Sequence, residues 1–495
     1  MQASKVVLQP LLDHKVLETV CYQKKLLLSS YGPKGRLKII GSEILSEMVI
    51  GSSSSVLLSA PILGEKEPII ALITSAVSQH LKTHFDAGLF AKVFCLSLVE
   101  SGLKLDVPCS VTAQCYRKFS EDILQELSNT VDSPVVSKVD IAKLQPFLDL
   151  IQGILQTKPS VCFSKLQIEN LSILLLKAFM HCSCGIIGKN AAWPILHFQV
   201  TNCGRSELFY GLLLDVVHHS KDSLVDLFDS FQYDKNKKLN VILLDVALTL
   251  PSLVGSLPHK QNQSKLHDQV MNYMLSFTQK IISSGVNVVL NQKVMDDWIK
   301  RQFRIHNILV IDRIGGQTMN ALQKVTQAMV VGCLGEDVSA CKGKIDGISL
   351  QPVNDKLYVL IENRSFAMSS LVVCSSSEQC LRDLKHVSWA SLYAIDKTLT
   401  CQKVLAGGGN CELYLSQYLQ KQYSVERGLQ EIPCSLGQFL VCLKSFCKCL
   451  DELGKYLSCD SKTIYDCYET KLHALMVAVQ TACIVLEIKF QIKDS

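Results

Sequence analysis

Three glycine-bearing segments could meet a phosphate: GPKG at 32–35, GIIGKN at 185–190 and GGG at 407–409. Glycine lets backbone N–H groups come close to an anion, and phosphate loops use it for that reason. The middle segment has the lysine of a Walker A loop, Lys189. However, Ser183 stands where that loop opens on glycine, and Asn190 where it needs a hydroxyl for Mg²⁺. A P-loop transferase built on it is one reading these residues leave open. Taken by themselves, Asp86 and Asp383 read as solvated surface acids, as a lone Asp ordinarily is. Asp296 and Asp297 read as structural or exposed, and the His218–His219 pair as surface. The 21 cysteines include two close pairs, Cys182/Cys184 and Cys447/Cys449. Both are C-x-C, whereas structural zinc sites use matched C-x₂₋₄-C knuckles. The thiols therefore read as small, reduced, buried hydrophobes, and no zinc is expected.

The elements that must position these residues follow from hydropathy. Of 495 residues, 48% are apolar and 19% charged, which excludes a disordered chain and implies two or three domains. A net charge of +5 is small for this length, so no nucleic-acid partner is implied. The first twenty residues mix Asp13, His14, Lys15 and Glu18 into their apolar positions and do not read as a signal peptide. The most apolar stretches, 171–180 and 473–488, read as too short or too polar to span a bilayer, so a soluble intracellular chain without membrane insertion is expected. Helical spacing of apolar residues marks 10–30, 69–85 and 91–105. The middle changes character. Val/Ile-rich runs at 239–248, 286–292 and 306–314 alternate with helical patterns at 265–284, 294–303 and 318–329, which predicts an α/β unit with parallel strands. Two more strands are expected at 356–363 and 369–376. Helices return at 381–396, 436–457 and 468–488. The economical reading is an α/β domain inserted into a helical domain made from both chain ends.

SSYGPKGRLKII (29–40) resembles the phosphate loop near the start of type II chaperonin subunits, the TCP-1/thermosome family. AGGGNCE (406–412) resembles that family's second glycine loop, and 285–328 its apical stretch. The stretch 469–488 resembles its final helix. The likeness covers nearly the whole chain. It implies a multidomain α+β subunit: an equatorial domain from 1–150 and 401–495, mostly helical, an intermediate domain from 151–195 and 345–400, and an inserted α/β apical, client-binding domain at 196–344. Residues 250–266 fall where active subunits carry a helical lid. Pro251, Gly255 and Pro258 there predict a shortened or irregular segment.

The resemblance also implies site residues. Gly32 and Pro33 match the first nucleotide loop and Gly408 the second. Asp466 matches the acidic residue that contacts the nucleoside, Asp86 the Mg²⁺-holding aspartate, and Asp383 one of two carboxylates that position water. The other water carboxylate falls on Ser52, which has no charge to offer. The family's Gly-Asp-Gly-Thr-Thr falls on Phe85, Asp86, Ala87, Gly88 and Leu89, so both threonines are lost and Phe85 and Leu89 are expected to crowd the phosphates. Parts of a catalytic set act together. The resemblance therefore implies weak ATP and Mg²⁺ binding with impaired hydrolysis, against the alternative of an ATP-hydrolysing foldase subunit. The degraded pattern is similar to the vertebrate chaperonin-like proteins linked to Bardet–Biedl syndrome. That likeness implies partnership with other chaperonin-like subunits and the cytosolic chaperonin, BBSome subunits as clients, and a place in the cytoplasm at the centrosome or basal body.

Overall fold

Apolar residues three and four apart build the first stretch of the chain. The computed structural model describes residues 5–8, 10–32, 35–40, 49–51, 67–128, 133–157, 164–182, 196–201, 205–216, 219–234, 237–249, 263–353, 356–374, 378–423, 433–457 and 464–493. Pro33, Ser52, His218, the 185–190 segment and the 250–262 part of the expected lid lie outside them. Strand β1 (Lys5–Leu8) precedes α1 (His14–Leu28), whose first turn is capped by the Asp13 carboxylate accepting from the Lys15 N–H at 3.0 Å. Strands β2 (Lys38–Ile40) and β3 (Val49–Gly51) pair antiparallel. Helix α2 (Pro68–His84) begins on a proline, which suits the first helical position, and α3 (Gly88–Leu103) and α4 (Cys109–Ser128) follow. Strand β4 (Val136–Lys138), α5 (Gln145–Gln156) and α6 (Lys165–Cys182) end this stretch.

The chain divides into two compact units, residues 1–176 with 375–495, and the insert 177–374. Both boundaries fall within the stretches 151–195 and 345–400. The insert contains β5 (Leu196–Thr201), β6 (Glu207–Tyr210), β7 (Leu212–Asp215), α7 (Lys221–Asp229), β8 (Leu239–Leu244), α8 (Gln263–Ser283), β9 (Val288–Asn291), α9 (Asp297–Ile305), β10 (Leu309–Ile311) and α10 (Gly316–Thr326). After them come β11 (Val330–Val331), β12 (Gly343–Ile345), β13 (Gly347–Val353), β14 (Lys356–Glu362) and β15 (Ser369–Cys374). Strands β10, β9 and β8 lie side by side and parallel, with Val288 opposite both Val241 and Leu309. Their continuous apolar runs reflect burial on both faces. Val241, Leu243, Val288 and Leu290 enter one core cluster, and Ile242, Leu244 and Val289 the other. Strand β14 pairs antiparallel with β13 and β7, and β15 joins β5 to β6.

The chain then returns to the first unit through α11 (Glu378–Cys401), β16 (Lys403–Ala406), α12 (Asn410–Gln422), α13 (Leu436–Leu457), β17 (Tyr465–Cys467), α14 (Tyr468–Leu486) and β18 (Phe490–Lys493). Strand β18 pairs with β1, Lys493 opposite Lys5, so the two chain ends meet. Helix α3 is apolar all round and runs through the core, packed by α1, α2, α13 and α14. Cys447 and Cys449 are buried in that core, their thiols directed at the Ser416 and Ser97 carbonyls. One expectation needs correction. Helix α14 starts where the sequence reading puts it, at Tyr468, and over its whole length it is long and apolar enough to cross a bilayer, with a mean hydropathy of 1.3, although the stretch 473–488 alone reads as too short or too polar. Most of it is buried inside the protein, as a core helix is.

Candidate functional site

Two tight loops meet at one cavity. After α1 the chain turns through Gly32, whose φ of +74° suits glycine, and Arg36 N–H closes the turn on the Ser29 carbonyl at 2.8 Å. The second loop leaves β16 at Gly407, whose N–H donates to the Ile464 carbonyl at 2.7 Å. It then passes Gly408 and Gly409 at φ +66° and +87° and enters α12. A Cβ at Gly409 would lie 2.2 Å from the Gly454 carbonyl oxygen, so only glycine lets this loop sit against α13. The sheet β4–β16–β17 fixes the second loop beside Asp466, with Leu405 opposite Asp466. Gly32, Asp86, Gly408 and Asp466 all line a cavity of about 270 Å³. That is just under the roughly 300–1,000 Å³ of small-molecule sites.

Opposite the glycines, the chain passes from α2 to α3 through Phe85, Asp86 and Ala87. Phe85 and Ala87 hold left-handed φ of +61° and +59° although neither is glycine. The N-terminal turn of α3 then faces the cavity with Leu89 and Phe90. First-turn amides have no intrahelical acceptor and attract anions. The side chains of that turn, however, are apolar and bring no hydroxyl to a cation.

The charge in the wall is already spoken for. Lys471 is 7% exposed, and its ammonium lies 2.5 Å from a carboxylate oxygen of the buried Glu412 and 3.4 Å from Asp466. It also stands 3.9 Å from the centre of the Phe90 ring. Burial works against the Lys471 charge, but Glu412, Tyr31 and Asp466 outweigh it and hold the ammonium well above ordinary lysine. Burial pushes the Asp466 carboxyl up, with Lys471 pulling the other way. Tyr31, also in the wall, is raised by burial.

Of the residues singled out in the sequence, Gly32, Asp86, Gly408 and Asp466 come together. Asp383 stands apart from them. It is fully buried on α11, whose Ala390 and Ala394 line the cavity while Asp383 does not. Phe85 is not in the wall either: its ring packs against Tyr393, 5.8 Å away. Crowding comes instead from Leu89, as expected, and from Phe90, which was not singled out.

The residues that match 24–436 carry the pattern of the TCP-1/cpn60 chaperonin family. The chain belongs to that family. Among relatives, it is 26% identical over 469 residues to "Molecular chaperone MKKS" of Mus musculus, covering 92% of this chain and 80% of that protein. The Homo sapiens protein of the same name matches at 26% over 471 residues with the same coverage. "Thermosome subunit alpha" of Saccharolobus solfataricus matches at 22% over 451 residues, 84% of this chain and 76% of that one. A chaperonin-like chaperone function is the coarse statement these likenesses support.

Within this chaperonin chain, the donors present suit the glycine-bound part of a nucleotide. Around Asp86 the wall offers a magnesium–triphosphate only the apolar side chains of Ala87, Leu89 and Phe90. Sequence reasoning missed Lys471 and Glu412 as a pair, since 59 positions separate them. It also missed Asp312, which lies buried and accepts from His219 Nε2 at 3.1 Å, Lys300 Nζ at 2.9 Å and the Met295 N–H at 3.2 Å. The spacing of four between His80 and His84, on α2, is visible in the sequence.

Proposed function

We propose that the chain is a chaperonin-like assembly factor that holds nucleotide weakly and does not hydrolyse it efficiently. In this reading it assists assembly of the BBSome, and hence ciliary traffic, in the cytoplasm at the centrosome and basal body. Its partners are other chaperonin-like subunits and the cytosolic chaperonin, with BBSome subunits as clients. The observation that carries the nucleotide half is the cavity itself, with glycine on two sides and Leu89, Phe90 and a neutralised Asp466 on the others. Phosphoryl transfer to water needs a cradle, a metal ligand and carboxylates on the attacking water. Among the described residues, Gly32, Gly408 and Asp86 line the cavity and Asp383 does not, which supports this reading. The client half rests on the resemblance to the chaperonin-like proteins linked to Bardet–Biedl syndrome.

Purified full-length protein given ATP and Mg²⁺ is expected to turn over no faster than a buffer blank, while a fluorescent ATP analogue binds weakly. Turnover that Asp383→Ala abolishes would make the chain an ATP-hydrolysing foldase subunit instead. For the client half, BBSome subunits should co-purify with the tagged protein from ciliated cells. Intact BBSome in cells lacking it would refute that role.

A further inference from the structure

Outside the cavity, three histidines meet where the end of α2 packs on α14. His80 and His84 lie one turn apart on α2, and His473 comes from the first turns of α14. One ring nitrogen of each lies within 4.8 Å of the others. The Nδ1 atoms of His80 and His473 are 2.8 Å apart, and the rings of His84 and His473 stack with centres at 4.1 Å. Such a grouping of imidazoles at 80, 84 and 473 cannot be found from cysteine spacing.

The hydrogen bonds around the rings fix which nitrogens keep a lone pair. His80 is 1% exposed, and its Nε2 lies 2.8 Å from the Asp86 carbonyl oxygen. A carbonyl only accepts, so Nε2 carries the hydrogen and Nδ1 the lone pair. The Thr83 hydroxyl donates to the His80 carbonyl at 2.9 Å and therefore accepts from His84 Nδ1 at 2.7 Å, which leaves the lone pair on His84 Nε2. Burial disfavours the imidazolium at all three rings. A metal-binding histidine typically gives its other N–H to a backbone carbonyl, which sets tautomer and ring orientation. His80 has that arrangement.

We propose that His80, His84 and His473 form a binding site for one borderline divalent cation of the Zn²⁺, Co²⁺, Ni²⁺ or Cu²⁺ class. Neutral imidazole suits these ions, and three protein nitrogens with an open fourth position make a familiar set. Nitrogens about 2.0–2.1 Å from a tetrahedral ion stand roughly 3.3 Å apart. The His80–His473 nitrogens must open by about half an ångström from their present 2.8 Å, and the stacked rings of His84 and His473 must splay. Both are only half-buried and can turn, whereas His80 is held. Without the ion, a proton between the two Nδ1 atoms fills its place. The ion would clamp α2 to α14 directly behind Asp86, whose backbone carbonyl holds His80 while its residue lines the cavity.

The test is Co²⁺ titration of the full chain, followed by visible absorption and by thermal denaturation. The expected result is one equivalent bound, with the d–d bands of nitrogen ligation, no thiolate charge-transfer band and a rise in melting temperature. His473→Gln and His84→Gln, both at half-buried positions, should each weaken binding by roughly tenfold or more while leaving the metal-free melting temperature nearly unchanged. Failure to bind, a thiolate band from the cysteines, or unaltered binding in both variants would overturn the site. ATP binding is read separately on the same samples and does not enter this outcome.

Discussion

Lys471→Met is the substitution whose outcome the structure fixes most tightly. Methionine keeps the length of the stem and can still lie on the Phe90 ring, so the change removes charge more than volume. What it leaves behind is Glu412, 1% exposed. Among the described residues no donor other than the Lys471 ammonium, at 2.5 Å, reaches either Glu412 oxygen, so that ammonium is what offsets the buried carboxylate. Deleting one partner of a buried pair costs about 3–5 kcal/mol, chiefly through the charge left unpaired. In a unit of this size each kcal/mol moves the melting temperature by about 1.6 °C, giving a fall of roughly 5–8 °C. Differential scanning calorimetry of the full chain measures it. Adding Glu412→Gln should recover more than half of the loss, because a neutral amide is far cheaper to bury than a carboxylate. A single variant within about 1 °C of the parent, or a double variant no better than the single, would refute the charge-pair argument.

Three further outcomes follow from the same geometry. Gly409→Ala should destabilise by more than about 2 kcal/mol in thermal denaturation, since its Cβ would meet the Gly454 backbone at 2.2 Å. Gly408→Ala, whose Cβ would meet only Ile464 at 3.6 Å, should lose about 1 kcal/mol from its left-handed φ alone. Ala87→Gly should stabilise by about 0.5–1 kcal/mol in the same assay by relieving φ +59° at a helix N-cap, where glycine is also the better residue. In the insert, His219, Lys300 and the Met295 amide hold the Asp312 carboxyl at about 2 against the burial that would raise it. A depressed carboxyl stabilises the fold above its unfolded pKa near 4, and that stability, roughly 2 kcal/mol, is lost as pH falls from about 4 through 2. Urea melts across that range should show the slope in the parent and lose it in Asp312→Asn.

What could be read in the sequence were the parts whose pattern is local. Runs such as 239–244 and 288–291 are apolar without alternation because the sheet buries both faces, and their helices repeat with period 3.6. The glycine loops could be read because backbone geometry demands the residue, as Gly409 against Gly454 makes plain. The strands β4, β16 and β17 could not, since each is only three or four residues long and is defined by its partners rather than by its own pattern. Nor could the pairing of Lys471 with Glu412, of Asp312 with Lys300, or of His473 with His80. A charged residue in a helix looks solvated until packing shows which helix face it occupies. The bounds of α14 could be read but the burial of its first turn could not: Glu469 and Lys471 look like solvent-facing residues, yet Glu469 pairs with Lys397 and Lys471 points into the core.

The loop Phe85–Ala87 holds Asp86 in the cavity wall at a cost in strain. A left-handed φ at a residue with a Cβ costs roughly 1–2 kcal/mol. The loop has two, at the positions where the resemblance places glycines, and nothing in the residue types favours them. Such strain persists only where surroundings over-determine it. Here they do: Phe85 N–H donates to the Leu81 carbonyl at 3.0 Å, the Phe85 ring rests on Tyr393, and His80 holds the Asp86 carbonyl at 2.8 Å. All three act to keep Asp86 in the cavity wall. The strain is thus held by the packing around the loop, and it fixes Asp86 in the cavity wall. It also makes the Ala87→Gly variant, freed of strain but with Asp86 in place, the one expected to bind the fluorescent ATP analogue at least as well as the parent.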